Sequence, residues 1–128
     1  MAVIPFIAED AQGHPSGARA HGARLVRWPA MDDGDSGAVY YAPDYADKSV
    51  QAIGDFTGGG SIDVEVNNEN VTPTVWARAK DPQGTVISLA VTGDMSQVQP
   101  NSVAIRPRVI GAIVSVDVFM LVSTTARR

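Results

Sequence analysis

The chain carries 17 valines and 8 isoleucines against only 3 leucines. Branching at Cβ restricts a side chain's rotamers in a helix and suits it to a pleated sheet. Leucine, a strong helix former, is nearly missing. Two segments show the matching periodicity. In Ser61–Asn67, Ile62, Val64 and Val66 alternate with Asp63 and Glu65. In residues 114–122, Val114, Val116, Val118, Met120 and Val122 share one face. Ser115, Asp117, Phe119 and Leu121 share the other. Period two marks a half-buried strand. The second face of 114–122 turns apolar toward its end, which predicts a central strand covered there on both sides.

Further strands are expected at 24–28, 49–56, 74–79, 85–91 and 103–110, separated by Gly-, Asn- and Pro-rich turns. Pro107 lacks a ladder donor and marks the strand at 103–110 as an edge or a bulge. Residues 2–8 are apolar but carry Pro5, which reads as an edge strand or an extended arm, and residues 9–23 are almost wholly small or polar. The fold predicted is all-β: one antiparallel β-sandwich over 24–128, jelly-roll or immunoglobulin-like, with an extended N-terminal arm over 1–23. Seven or eight short strands at this spacing fit a sandwich.

A chain of 128 residues is one domain's worth. It has no cysteine, so disulfides, thiolate metal sites and cysteine nucleophiles are excluded. The net charge of −4 lacks the basic excess of a dedicated nucleic-acid binder. Acids concentrate in residues 29–69, nine against one base, while the remainder holds five acids and nine bases. That division reads as solvated loops or as two complementary surfaces that meet in an assembly. The longest apolar stretch, 109–122, is shorter than the roughly 20 residues of a spanning helix and is interrupted by Asp117. No secretory leader is recognisable at the start, and synthesis in a reducing cytoplasm is expected.

Candidate chemistry is sparse. Gly34-Asp35-Ser36-Gly37 matches the string around a serine-protease nucleophile. That mechanism needs a His base and an orienting Asp at a spacing this chain lacks, so the string reads as an Asp-Gly turn. Asp32, Asp33 and Asp35, and the oxygen-rich run Asn67–Asn70, lack the spacing of a calcium loop. His14 and His21 lie seven apart in the small-residue loop, a weak metal signal that reads as a solvated loop. No cofactor, metal or small-molecule substrate is expected, and the chain reads as a non-enzyme. Trp28, Tyr40, Tyr41, Tyr45 and Trp76 could line a sugar-binding face, with Trp76 read as core instead.

Residues 48–122 carry a further pattern. A strand ends in Gly-Asp-Phe (54–56) and is followed by a Gly-rich turn (58–60) and an alternating strand (62–66). A strand with Trp76, the turn Asp-Pro-Gln-Gly (81–84), and Ile-Arg-Pro-Arg-Val (105–109) before the last Val-rich strand complete it. This order resembles the small virion structural proteins of tailed bacteriophages, most of all capsid cement or decoration proteins.

The resemblance implies a protein of the capsid exterior, made in the host bacterial cytoplasm. Its implied partners are the major capsid protein and its own copies, as a homodimer or homotrimer, with no direct nucleic-acid or membrane contact. Alternatives are a head–tail or tail component, or a glycan- or receptor-binding module. Contact residues are expected in the N-terminal arm (Ile4, Phe6, His14, Arg19, Arg24) and the tyrosine segment (Tyr40, Tyr41, Tyr45), which are apolar or basic yet lie outside the regular strand pattern. Arg106 and Arg108, flanking Pro107, are expected either to meet acids of a neighbour or to guard an edge strand.

Overall fold

The computed structural model describes residues 2–12, 19–42, 47–69, 72–99 and 102–123, with backbone alone at 10–12 and 19–22. Among the described residues, twelve strands form two sheets packed face to face. Sheet A orders β1 (Val3–Ile4), β4 (Ser36–Gly37), β11 (Ala104–Ile110), β7 (Ser61–Asn67) and β8 (Ala77–Arg78). Here β5 (Tyr40–Tyr41) also pairs with β11, and β9 (Ser88–Leu89) with β7. Sheet B orders β10 (Met95–Gln97), β6 (Asp47–Asp55), β12 (Ser115–Ser123), β3 (Arg19–Met31) and β2 (Ile7–Gln12). The pairings are antiparallel except β1 with β4. Among the described residues no helix is long and apolar enough to cross a membrane.

The core follows from the alternation. Sheet B contributes Val26, Trp28, Met31, Val50, Ala52, Val116, Val118, Met120 and Val122 to the interior. Sheet A answers with Ile62, Val64, Val66, Ile105 and Val109. Each large side chain buried this way contributes roughly 1.5–3 kcal/mol. As expected, β12 is central, between β6 and β3. Its outward face is not covered at the far end, however: Leu121 is 43% exposed. Val114 has left the strand and is exposed too.

Residues 2–12, set apart by sequence as an arm, are woven into both layers. β1 lies beside β4 in sheet A, and after Pro5 the chain crosses to sheet B as its edge strand β2. Ile4, Phe6 and Ala8 pack against the core. The expected boundary at 23/24 falls inside β3, which runs 13 residues. Its first half, small and polar in sequence, offers no apolar alternation from which a strand could be read.

Pro107 sits inside the sheet rather than at its edge, with β7 on one side and β4 and β5 on the other. The Val109 N–H donates to the Asp35 carbonyl at 2.8 Å, toward β4. Two residues earlier on the same side, Pro107 has no N–H to donate, and it falls between the short stretches paired with β5 and β4. An interrupted neighbour is what lets proline sit there. Its ring lies over Gly37, where an added Cβ would stand 2.6 Å from Pro107 Cδ and from Trp28 Cδ1.

Candidate functional site

The outward face of sheet A carries an ionic ladder dictated by register. Glu65 on β7 stands opposite Arg106 on β11 and Arg78 on β8, and Asp63 stands opposite Arg108. Arg106 Nε donates to Glu65 Oε1 at 2.8 Å and Arg108 Nη1 to Oε2 at 3.5 Å. Arg78 Nε lies 3.0 Å from Asp63 Oδ2. The long arginine stems shield the shorter acids, so Asp63 and Glu65 are buried although they face away from the core. The Arg106 guanidinium also lies 4.2 Å from the centroid of the Trp76 ring. Trp76, read from sequence as core, is therefore a half-buried residue of this outer ladder. The core tryptophan is Trp28, whose Nε1 donates to the Ala38 carbonyl at 3.0 Å.

Of the expected contact residues, Phe6 and Tyr40 come together. Their rings meet edge to face at 5.2 Å, and Phe6 meets Trp28 at 6.2 Å. Ile4 and Tyr40 are likewise packed against the core, whereas Tyr41 is 52% exposed. Arg24 is half-buried, and its Nε has no hydrogen-bond partner among the described residues. Arg106 and Arg108 are paired within their own chain on Glu65. His14 and Tyr45 lie outside the described residues, and Arg19 is described by its backbone alone, opposite Gln12.

The acidic turn organises backbone. Asp35 is buried: Oδ1 accepts from the Ala2 N–H and Oδ2 from the Asp32 N–H, both at 2.9 Å. Gly34 supplies the positive φ of 68° that the turn needs. Asp33 Oδ1 reaches the Ile113 N–H at 2.7 Å. The Asn67 loop is tied in a similar way. Glu69 accepts from the Asn67 amide at 2.7 Å, from the N–H groups of Thr74 and Val75, and from the Thr74 hydroxyl. The Asn67 amide and these other donors hold its carboxyl down to about 2. Among the described residues no three His, Asp or Glu converge as a metal cluster.

On sheet B, Lys48 is buried in β6, on the same strand face as Val50 and Ala52. Burial pushes its ammonium below the usual lysine range, opposed by the neighbouring Asp47. The outward face of the same sheet went unrecognised in sequence as a site. There Leu25 on β3 stands beside Leu121 on β12, with Phe119 on the same strand face, while Ser49 and Gln51 of β6 separate them from Met95 on β10. Leu121 is 43% and Met95 62% exposed. Two open depressions flank them, of about 460 Å³ beside Ser123 and Gln97 and about 180 Å³ beside Leu25 and Phe119. The available signal was the run Phe119-Met120-Leu121, apolar on both faces of one strand.

No family model matches the chain, and no curated protein matches it significantly. Among solved structures, the chain is similar to the crystal structure of protein NMB1881 from Neisseria meningitidis, at 22% identity and a TM-score of 0.35, over 81% of this chain and 78% of that one.

Proposed function

We propose that the chain is a non-enzymatic structural protein of a phage particle: a capsid cement or decoration protein that binds between major capsid proteins on the outside of the head. The observation that carries this reading is how the surface is divided. The ladder of Asp63, Glu65, Arg78, Arg106 and Arg108 is satisfied within the chain, while large apolar side chains stand out elsewhere. Val75 is 78%, Val91 59% and Tyr41 52% exposed. A stiff sandwich presenting apolar side chains is suited to contact. Many copies on one lattice then add weak contacts into avidity. The order of turns and strands over 48–122 supports the same assignment by resemblance. On this reading the sandwich is a jelly-roll or immunoglobulin-like variant. Tyr41 and Arg24 meet the capsid, while Ile4, Phe6 and Tyr40 brace the fold by packing against the core.

The test is copy number per purified phage particle by quantitative mass spectrometry. Hundreds of copies are expected for cement. A ring-sized number, roughly six to twelve, would move the chain to the head–tail junction or the tail. Absence from particles would overturn the assignment and leave receptor or glycan binding as the reading to pursue.

A further inference from the structure

We propose that this chain is matured by a cut before Ala2, and that the freed α-amino group becomes the counterion of buried Asp35. This goes beyond the structural role above and does not depend on it.

Asp35 is a buried carboxylate served by neutral donors. Its Oδ1 accepts from the Ala2 N–H and its Oδ2 from the Asp32 N–H, both at 2.9 Å, and only 6% of the residue is exposed. The acids beside it repeat the pattern. Asp32 Oδ1 accepts from the Asp33 N–H and Asp33 Oδ1 from the Ile113 N–H, both at 2.7 Å. The ion pairs among the described residues engage Asp63, Glu65 and Asp117 and leave out these three acids. A turn with carboxylates at 32, 33 and 35 therefore meets no cation among the described residues. Burying a charge without an opposite one is costly.

The group that comes to Asp35 from outside the turn is the Ala2 nitrogen. Ala2 is held at both ends: its N–H donates to Asp35, and its carbonyl accepts from the Ser36 N–H at 3.0 Å. As part of a peptide bond that nitrogen is neutral. Freed, it is an ammonium in the same place. Its hydrogen bond to Asp35 is then charge-assisted at both ends, and roughly twice as strong as a neutral one. Ala2 itself is exposed, so the other ammonium hydrogens stay in water. The pair thus escapes the double desolvation that offsets a fully buried ion pair.

The cut is a hydrolysis of the bond between Met1 and Ala2. The oxygen of water goes to the Met1 carbonyl carbon, which leaves as a carboxylate. Both hydrogens of water end on the Ala2 nitrogen, which becomes the ammonium. The co-reactant is a peptidase that accepts methionine before a small residue, and Ala2 is small. The cut precedes the docking of β1, because in the folded chain the nitrogen is held on Asp35. Its effect is to pin the start of β1, and with it the segment that crosses from sheet A to sheet B.

Two forms of the full chain test this, one beginning at Met1 and one at Ala2, each released from a fusion that leaves no extra residue. The Ala2 form is expected to melt several degrees higher at pH 6. An α-amino group ordinarily titrates at about 7.7–8.0, and pairing with Asp35 raises it. The gain is therefore complete below that range and is lost as pH rises through the raised value. Acetylating the Ala2 form keeps an N–H but removes the charge, and should return melting to that of the Met1 form. In Asp35→Asn the two forms should melt together. Should that variant fail to fold, the acetylated form carries the comparison. Intact mass of the chain from the cells that make it should show Ala2 as its first residue. Equal melting of the Ala2 form and its acetylated product at pH 6, an Ala2 amine titrating in the ordinary range, or a natural chain that retains a residue before Ala2 would each overturn the proposal.

Discussion

The backbone N–H of Ala30 donates to Asp117 Oδ1 at 2.8 Å, where β3 holds one residue more than β12. Val116 pairs with Met31 and Val118 with Trp28, so Pro29 and Ala30 together face Asp117. Ala30 is the non-glycine residue at positive φ among those described, at 53°. The bulge frees the Ala30 N–H from the ladder, and a carboxylate one strand away takes it.

Asp117→Ala should therefore loosen the bulge and cost about 1 kcal/mol, the usual net worth of an exposed hydrogen bond. Ala30→Gly should stabilise by about 0.5–1 kcal/mol, because glycine takes the left-handed conformation without a Cβ penalty. Urea unfolding of both variants measures the pair. Equal destabilisation by the two would contradict this account of the bulge.

Arg106 and Arg108 both reach Glu65, but they should not count equally. Arg106 is only 22% exposed, 2.8 Å from Glu65, and lies over Trp76. Arg108 is 49% exposed and 3.5 Å away. Removing Arg106 leaves a nearly buried carboxylate short of its main partner, so Arg106→Ala should cost about 2–3 kcal/mol. Arg108→Ala should cost no more than about 1 kcal/mol. Equilibrium unfolding separates the two, and the Arg106 variant should also shift Trp76 emission to the red as the ring is uncovered.

Glu69 sets an acid limit for its loop. Its carboxyl titrates at about 2 when folded, against an ordinary 4.5. A depressed value means that the loop's stabilisation is complete above the unfolded value. It is lost as pH falls through the window between the two. Carboxyl chemical shifts should show the low midpoint, with the Thr74 and Val75 amides moving with it. Glu69→Gln should remove that part of the pH dependence. A midpoint near 4.5 would show that the five donor contacts do not persist in solution.

Val116 is fully buried on the central strand, so Val116→Asp should unfold the chain outright. Gly37→Ala should be milder, about 1–3 kcal/mol, since Trp28 and Pro107 would have to shift. Circular dichroism melts distinguish the two cases. A Gly37→Ala protein melting with its parent would show that the contact yields freely.

What the sequence made legible was facing. Alternation in Ser61–Asn67 and along β12 identified which side chains fill the interior, because period two is a local property of the chain. What lies beside a strand is not local. Nothing near Glu65 indicates that Arg106, 41 residues away, will cover it, so a buried carboxylate looked like a solvated one. Trp76 was taken for core and the N-terminal segment for an arm for the same reason. Their partners come from distant strands, and apolar content alone does not reveal them. The candidate contact residues fared similarly. Phe6 and Tyr40 were selected for lying outside the strand pattern; Tyr40 stands in the short β5 beside Ile105, and Phe6 bridges it to Trp28 in an aromatic cluster.

The passage of the N-terminal segment from one layer to the other has a mechanical consequence. β1 is bonded into sheet A through Ser36 and Ala38, whose N–H groups donate to the Ala2 and Ile4 carbonyls at 3.0 and 2.8 Å. A few residues later β2 is bonded into sheet B. The two layers cannot slide apart without breaking hydrogen bonds in one of them. Tension applied to this segment is shared between both sheets, as a stitch shares a pull between two layers of cloth.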